Sequence, residues 1–71
     1  MNKIHEIRQK LKMSRKQFAS ELSITVGAVS NYENLSRTPR LAIAYRIIAL
    51  AKQQGCIARL EDIYVFNHRQ E

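Results

Sequence analysis

The chain has 71 residues and a mass of 8.3 kDa, the size of one small domain whose core leaves little room for an enclosed active site. Its net charge of +6 predicts a polyanionic partner, nucleic acid first and an anionic membrane second. The single cysteine argues against a disulfide scaffold and a zinc finger, and the 45% of hydrophobic residues argues against a disordered tail. The sequence shows no signal-peptide pattern and no apolar run long enough for a membrane span, and the small core argues against most enzymes.

The first two predicted helices have clear apolar faces. The first helix covers residues 2–12, and its inward residues are Ile4, Ile7 and Leu11. The second begins at Ser14, because Ser14 and Gln17 have the spacing of a capping box, which satisfies two backbone N–H groups. It ends near Ser23, and its inward residues are Phe18, Ala19 and Leu22.

The third helix is predicted to begin at Thr25, a favourable N-cap residue, and to be followed by a polar loop over residues 34–38. Its inward residues are Val29 and Tyr32. The fourth helix is predicted to be capped by Thr38, with Pro39 in its first turn and Gly55 just past its end.

The fourth helix has an unusually wide apolar arc. It consists of two offset stripes: Leu41, Ala44, Tyr45 and Ile48 in one, and Ile43, Ile47 and Leu50 in the other. Such an arc exceeds what one small core needs, so we expect part of it to serve a partner surface.

The last apolar segment, residues 60–66, is predicted to form a short helix. Glu61 and Asp62 lie in its first turn, where the helix dipole favours acidic side chains. A strand over the run Ile-Tyr-Val-Phe is the alternative, and residues 67–71 form a polar tail. The expected fold class is therefore all-α, a compact bundle of five short helices in one domain over residues 1–66.

Two short helices near residues 14–22 and 25–34 have the spacing of a helix-turn-helix, in which the second helix enters the major groove. The stretch over residues 13–34, MSRKQFASELSITVGAVSNYEN, resembles the signature of the phage Cro and repressor type of helix-turn-helix regulators, also called lambda-repressor-like or XRE-type. The resemblance extends over the five helices, residues 2–66. Ala19 matches the family's small residue in the middle of the second helix. The family's apolar anchors correspond to Phe18, Leu22, Val29 and Tyr32.

The resemblance also implies a structural ion pair. Glu33 matches the acid that commonly ends the signature, and Arg8 occupies the place of its partner in some relatives. We therefore expect an Arg8–Glu33 pair that fixes helix 1 against helix 3. The chain departs from the family at Arg15, where Gln is frequent, and at Ser23, where Gly is frequent.

The outward face of the third helix is the predicted base-reading surface. Its residues are Thr25, Val26, Gly27, Ser30, Asn31 and Asn34. Asn31 can bind adenine through two hydrogen bonds, Val26 can contact a thymine methyl group, and Gly27 lets the backbone come close. The alternative is a merely polar helix face.

Basic residues flank this helix in the sequence and are the predicted phosphate contacts. With two residues at predicted helix N-termini, they are Lys10, Lys12, Ser14, Arg15, Lys16, Arg37, Thr38 and Arg40. No grouping of catalytic or metal-ligating side chains is visible, so we expect no enzyme activity, no metal and no cofactor. Cys56 is expected to be a small core or interface residue.

Family members bind two-fold symmetric operators as dimers, so the resemblance implies a homodimer on double-stranded DNA. The dimer surface is expected near residues 56–66, with Ile63, Tyr64 and Phe66 in it, and strand pairing across the two-fold axis as the lesser option. The implied protein is a Cro-like repressor of phage origin, working in the bacterial cytoplasm at the nucleoid, with no small-molecule ligand. Alternatives are an excision-control or architectural DNA-binding protein, an antitoxin-type interaction module and, last, an RNA-binding domain.

Overall fold

A computed structural model describes residues 3–64 of the chain. Five helices follow one another in this part: α1 (Ile4–Lys10), α2 (Arg15–Leu22), α3 (Val26–Glu33), α4 (Leu41–Gln53) and α5 (Leu60–Ile63). No strand occurs within these residues, so the prediction of an all-α bundle of five short helices is confirmed.

One hydrophobic core unites the five helices. The inward faces predicted for the first two helices are buried, as is Val29 of the third, whereas Tyr32 is only partly buried. Helix α2 packs against both α3 and α4, and α1 contacts α3. The fully buried large side chains are Ile4, Phe18, Leu22, Val29, Ile47 and Ile63. Because each helix contributes only a few residues, tertiary packing rather than helix propensity holds the short helices in place.

The connection between α2 and α3 is tight and well capped. Ser14 and Gln17 form the predicted capping box at the start of α2, and the Thr25 hydroxyl accepts the Ala28 N–H at the start of α3. Between the helices, Ser23 takes the left-handed conformation with φ 59° and ψ 42°. The turn therefore has the left-handed backbone that a glycine would adopt more easily.

The start of α4 differs from the prediction. The predicted cap at Thr38 is wrong, because the N-cap residue is Arg40, whose carbonyl accepts the first helical bond from the Ala44 N–H. Pro39 precedes the helix, and its carbonyl accepts a hydrogen bond from the Tyr64 hydroxyl at 2.8 Å. This long-range bond holds the Pro39 carbonyl just ahead of the helix. Gly55 follows the end of α4 with φ 81°, as predicted.

Only one side of the wide apolar arc on α4 enters the core. Ala44, Ile47, Leu50 and Ala51 are buried, whereas Leu41 and Tyr45 are more than half exposed. Although α4 is the longest helix described, neither it nor any other helix within residues 3–64 has the length and apolar character that crossing a bilayer requires.

The last described helix is anchored at both ends. Asp62 accepts the Arg59 N–H at the start of α5 through its carboxylate, and its carbonyl accepts the Lys3 N–H ahead of α1. Ile63 is only 1% exposed because it packs into the core of its own chain. The side chain of Ile63 thus faces the core of its own chain, and the dimer surface that includes Ile63 stays a prediction. Phe66, predicted for the same surface, and the tail over residues 67–71 lie outside the described residues.

Candidate nucleic-acid interface

Helix α3 is held across α2 with one face buried and the other exposed. Ala19 of α2 and Val29 of α3 are both buried in the shared core, and the two helices pack against each other. The Arg46 guanidinium of α4 donates to the Leu22 carbonyl at 3.0 Å, which satisfies a carbonyl at the end of α2. The position of Arg46 in the sequence gave no sign of this contact.

The exposed face of α3 is open and uncharged. Two residues along a helix rotate a side chain by about 200°, so Gly27 and Asn31 lie opposite the buried Val29. Val26 is exposed, and Ser30 and Asn31 are half-buried. A Cβ at Gly27 would come no closer than 3.8 Å to Thr25 Oγ1, so a small side chain fits at this position without a clash.

The two asparagines at this end of α3 have different surroundings. The Asn34 amide oxygen accepts both the Ser36 N–H at 3.1 Å and the Ser36 hydroxyl at 2.7 Å, so it stabilises the turn after α3. The side chain of Asn31 makes no hydrogen bond within residues 3–64, although its backbone carbonyl accepts the N–H groups of Ser36 and Arg37. Of these two asparagines, Asn31 alone has both amide atoms free of hydrogen bonds to the described residues.

The predicted phosphate contacts are all exposed. Five precede or open α2 and three follow α3: Lys10, Lys12, Ser14, Arg15, Lys16, and then Arg37, Thr38 and Arg40. The second group borders an open depression of about 440 Å³ that also includes Tyr32 and Arg46. No acidic residue lines this depression, so its arginines are suited to binding an anion.

An ion-pair network connects the first three helices. The structure brings Arg8 and Glu33 together, with Arg8 Nε donating to Glu33 Oε2 at 2.6 Å. Arg8 also donates to the Met13 carbonyl at 3.0 Å. Arg15 joins the same carboxylate, with Nε 3.1 Å from Glu33 Oε1. Sequence reasoning missed this third member, because the spacing of Arg15 and Glu33 across two helices gives no local signal.

The Tyr64 side chain, predicted for a dimer surface, is half-buried against its own chain at Pro39. Burial raises the pKa of its hydroxyl, and the nearby Tyr45 and Tyr32 shift this pKa in the same direction. The neutral hydroxyl that donates to the Pro39 carbonyl is therefore the favoured form.

A capped α2, a left-handed turn and a capped α3 that crosses it closely define a helix-turn-helix. A family model described as helix-turn-helix matches residues 4–51, from the start of α1 to near the end of α4. The chain belongs to this family, the lambda-repressor-like or XRE-type helix-turn-helix domains, and is a DNA-binding regulator of that class. Among curated proteins and among solved structures, nothing matches the chain.

Proposed function

We propose that the protein is a sequence-specific repressor of the Cro type that binds a two-fold symmetric operator as a dimer, with α3 in the major groove. The observation that carries this proposal is the contrast between α3 and its borders. The outward face of α3 carries no charge, whereas exposed cations lie at the start of α2 and beyond the end of α3. This is the arrangement needed by a helix that reads bases while its neighbours hold the two phosphate backbones.

The base-reading role belongs to the residues with free space or free polar atoms in front of them. These are Val26, Gly27, Ser30 and Asn31, with Asn31 contacting adenine, together with Thr25, whose oxygen accepts the Ala28 N–H but whose hydroxyl hydrogen can still donate. We assign Asn34 to the turn, because its amide oxygen already accepts two hydrogen bonds. The phosphate-binding role belongs to the eight exposed residues from Lys10 to Lys16 and from Arg37 to Arg40 named above.

Selection of bound DNA from a random duplex pool tests the function directly. We expect a two-fold symmetric consensus with half-sites about one helical turn apart. A promoter that contains this site should lose transcription in vitro as protein is added, because an occupied promoter excludes the polymerase. DNA binding without a consensus would instead indicate an architectural or excision-control protein, and no DNA binding at all would indicate a protein-interaction module.

The proposed dimer needs a surface, and Ile57 is the best centre for it. Ile57 follows α4 and is 86% exposed, more than any other large hydrophobic residue described. It lines two adjoining depressions, one of them largely apolar with Ile48, Cys56 and Ala58. An exposed isoleucine beside half-buried apolar side chains is typical of an interaction surface.

The charges around Ile57 favour a second copy of this chain as the partner. The rim contains both signs, with Lys3 and Lys52 as cations and Glu6 and Asp62 as acids. In a two-fold symmetric dimer, the same patch of both copies forms the interface, and the two patches are related by a 180° rotation. Cations of one copy can therefore face acids of the other. The net charge of +6 per chain opposes association in free solution, and binding to polyanionic DNA relieves this repulsion.

Ile57→Asp should weaken self-association, because two carboxylates would replace the apolar centre of the contact. We expect at least about a tenfold loss in the dimerisation constant by sedimentation equilibrium, and loss of cooperativity on the selected site with half-site affinity kept. Leu35→Asp is the matched control, since Leu35 is an exposed hydrophobic residue in the loop after α3. Unchanged association of Ile57→Asp would place the dimer contact elsewhere.

A further inference from the structure

The Glu33 carboxylate is shared by two arginines from different helices. Arg8 contacts both of its oxygens, at 2.6 Å to Oε2 and 3.5 Å to Oε1, and Arg15 contacts Oε1 at 3.1 Å. We propose that Glu33 is a positioning residue that holds the Arg15 side chain as a preformed contact for one DNA backbone phosphate. This inference rests on the proposed function and names the device that fixes one of its phosphate contacts.

The burial of the three side chains gives them different roles. Glu33 is 5% exposed and Arg8 is 12% exposed, whereas Arg15 is 53% exposed. Arg8 also donates to the Met13 carbonyl, so it ties the carboxylate to the body of the domain. The inner pair is thus a fixed support, and Arg15 is the one member of the network that can reach a ligand outside.

The hydrogen bond to Glu33 leaves the two Nη groups of the Arg15 guanidinium free to bind a phosphate. Arg15 donates to Glu33 through Nε, and neither of its Nη atoms donates a hydrogen bond within residues 3–64. The two Nη groups form the fork that matches two phosphate oxygens. Lysine offers no such arrangement, because its ammonium is a point charge that cannot bind Glu33 and a phosphate through opposite edges.

Holding Arg15 in advance has two consequences for DNA binding. A side chain that is already ordered loses less conformational entropy when it binds, which favours affinity. In addition, Arg15 is the first residue of α2 and Glu33 is the last residue of α3. The Glu33 carboxylate therefore fixes the position of the phosphate contact relative to the helix that reads the bases. The network keeps a net charge of +1, because two arginines share one buried acid, and a phosphate therefore meets a net positive group.

Three variants distinguish the effect of the Arg15 charge on DNA binding from the effect of its fixed position. Binding to the selected duplex and to a random duplex of the same length is measured over a series of KCl concentrations. Arg15→Gln should lower the slope of log K against log salt by about one, because one phosphate contact is lost. Arg15→Lys should keep the slope but weaken binding about three- to tenfold on both duplexes, since the charge remains and the hold by Glu33 is lost.

Arg59→Lys is the control, because Arg59 is an exposed arginine that also lies near a carboxylate, Glu61 at 3.9 Å, but outside the proposed DNA contacts. It should bind both duplexes as the wild type does. A nuclear magnetic resonance measurement on the free protein gives a second readout. The Arg15 Nε–H should exchange with water several-fold more slowly than that of Arg59.

The outcomes are distinguishable. If Arg15→Lys binds as tightly as the wild type, or if the two Nε–H groups exchange equally fast, the positioning role is overturned while the DNA-binding function stands. If the wild type binds no duplex, the proposed function and this inference both fail.

Discussion

Glu33→Ala is expected to lower the free energy of unfolding by roughly 3 kcal/mol. The substitution leaves the guanidinium of Arg8 with no carboxylate, although this group is only 12% exposed and keeps just the Met13 carbonyl as a partner. Removing one member of a buried ion pair costs more than the pair itself contributes, because the remaining charge stays desolvated. In a domain of this size such a loss is a large part of the total stability.

Urea denaturation followed by circular dichroism measures this loss. Glu33→Gln is the matched variant, since its amide oxygen can still accept one hydrogen bond, and it should lose clearly less stability. The folded fraction of Glu33→Ala should retain the consensus of the wild type in DNA selection, because Glu33 is buried behind the reading face. A changed consensus with unchanged stability would contradict the assigned role.

Asn31→Ala should reduce affinity for the selected site by about 1–3 kcal/mol per half-site, and twice that for a symmetric dimer site. Asn31 lies opposite the buried Val29, and its amide can offer an acceptor and a donor together, as adenine requires. Random DNA offers no fixed base partner, so affinity for it should stay the same. Titration of both duplexes at one salt concentration measures the difference.

Asn34→Ala is the matched control for Asn31→Ala. It removes the same side chain three residues later, where the amide oxygen is bound to Ser36. We expect a small loss of stability from the turn and no change in the ratio of specific to random binding. Equal losses on both duplexes for Asn31→Ala would remove Asn31 from base reading.

The parts of the fold that sequence reasoning predicted well depend on neighbours in the chain. The caps at Ser14 and Thr25 each join residues three apart, so their side chains signal the helix start directly. The inward faces of α1 and α2 follow from apolar spacing alone. Helix α4 is different, because its N-cap is Arg40 rather than the predicted Thr38, and the Pro39 carbonyl ahead of it is bound by the distant Tyr64 hydroxyl.

The geometry of the candidate nucleic-acid interface could also be predicted from the sequence in part. The exposed face of α3 follows from the burial of Val29 on the other side. The roles of Asn31 and Asn34 could not be separated in the sequence, since only the folded turn brings Ser36 to the Asn34 oxygen. The apolar run near the end of the chain suggested Ile63 as a contact residue, but three-dimensional packing buries Ile63 and leaves Ile57 outside.

The four junctions between helices each contain one residue with a left-handed backbone: Lys12, Ser23, Leu35 and Gly55. Only the last is glycine, so the other three carry a conformational cost of about 1–2 kcal/mol each. A small domain that stores this strain has little tolerance for further destabilising substitutions. Under the proposed function, new sequence preferences are therefore most accessible through outward positions such as Gly27 and Asn31, where a changed side chain leaves the fold almost untouched. If α3 reads bases as proposed, the strained junctions direct the evolution of specificity to the exposed face of this one helix.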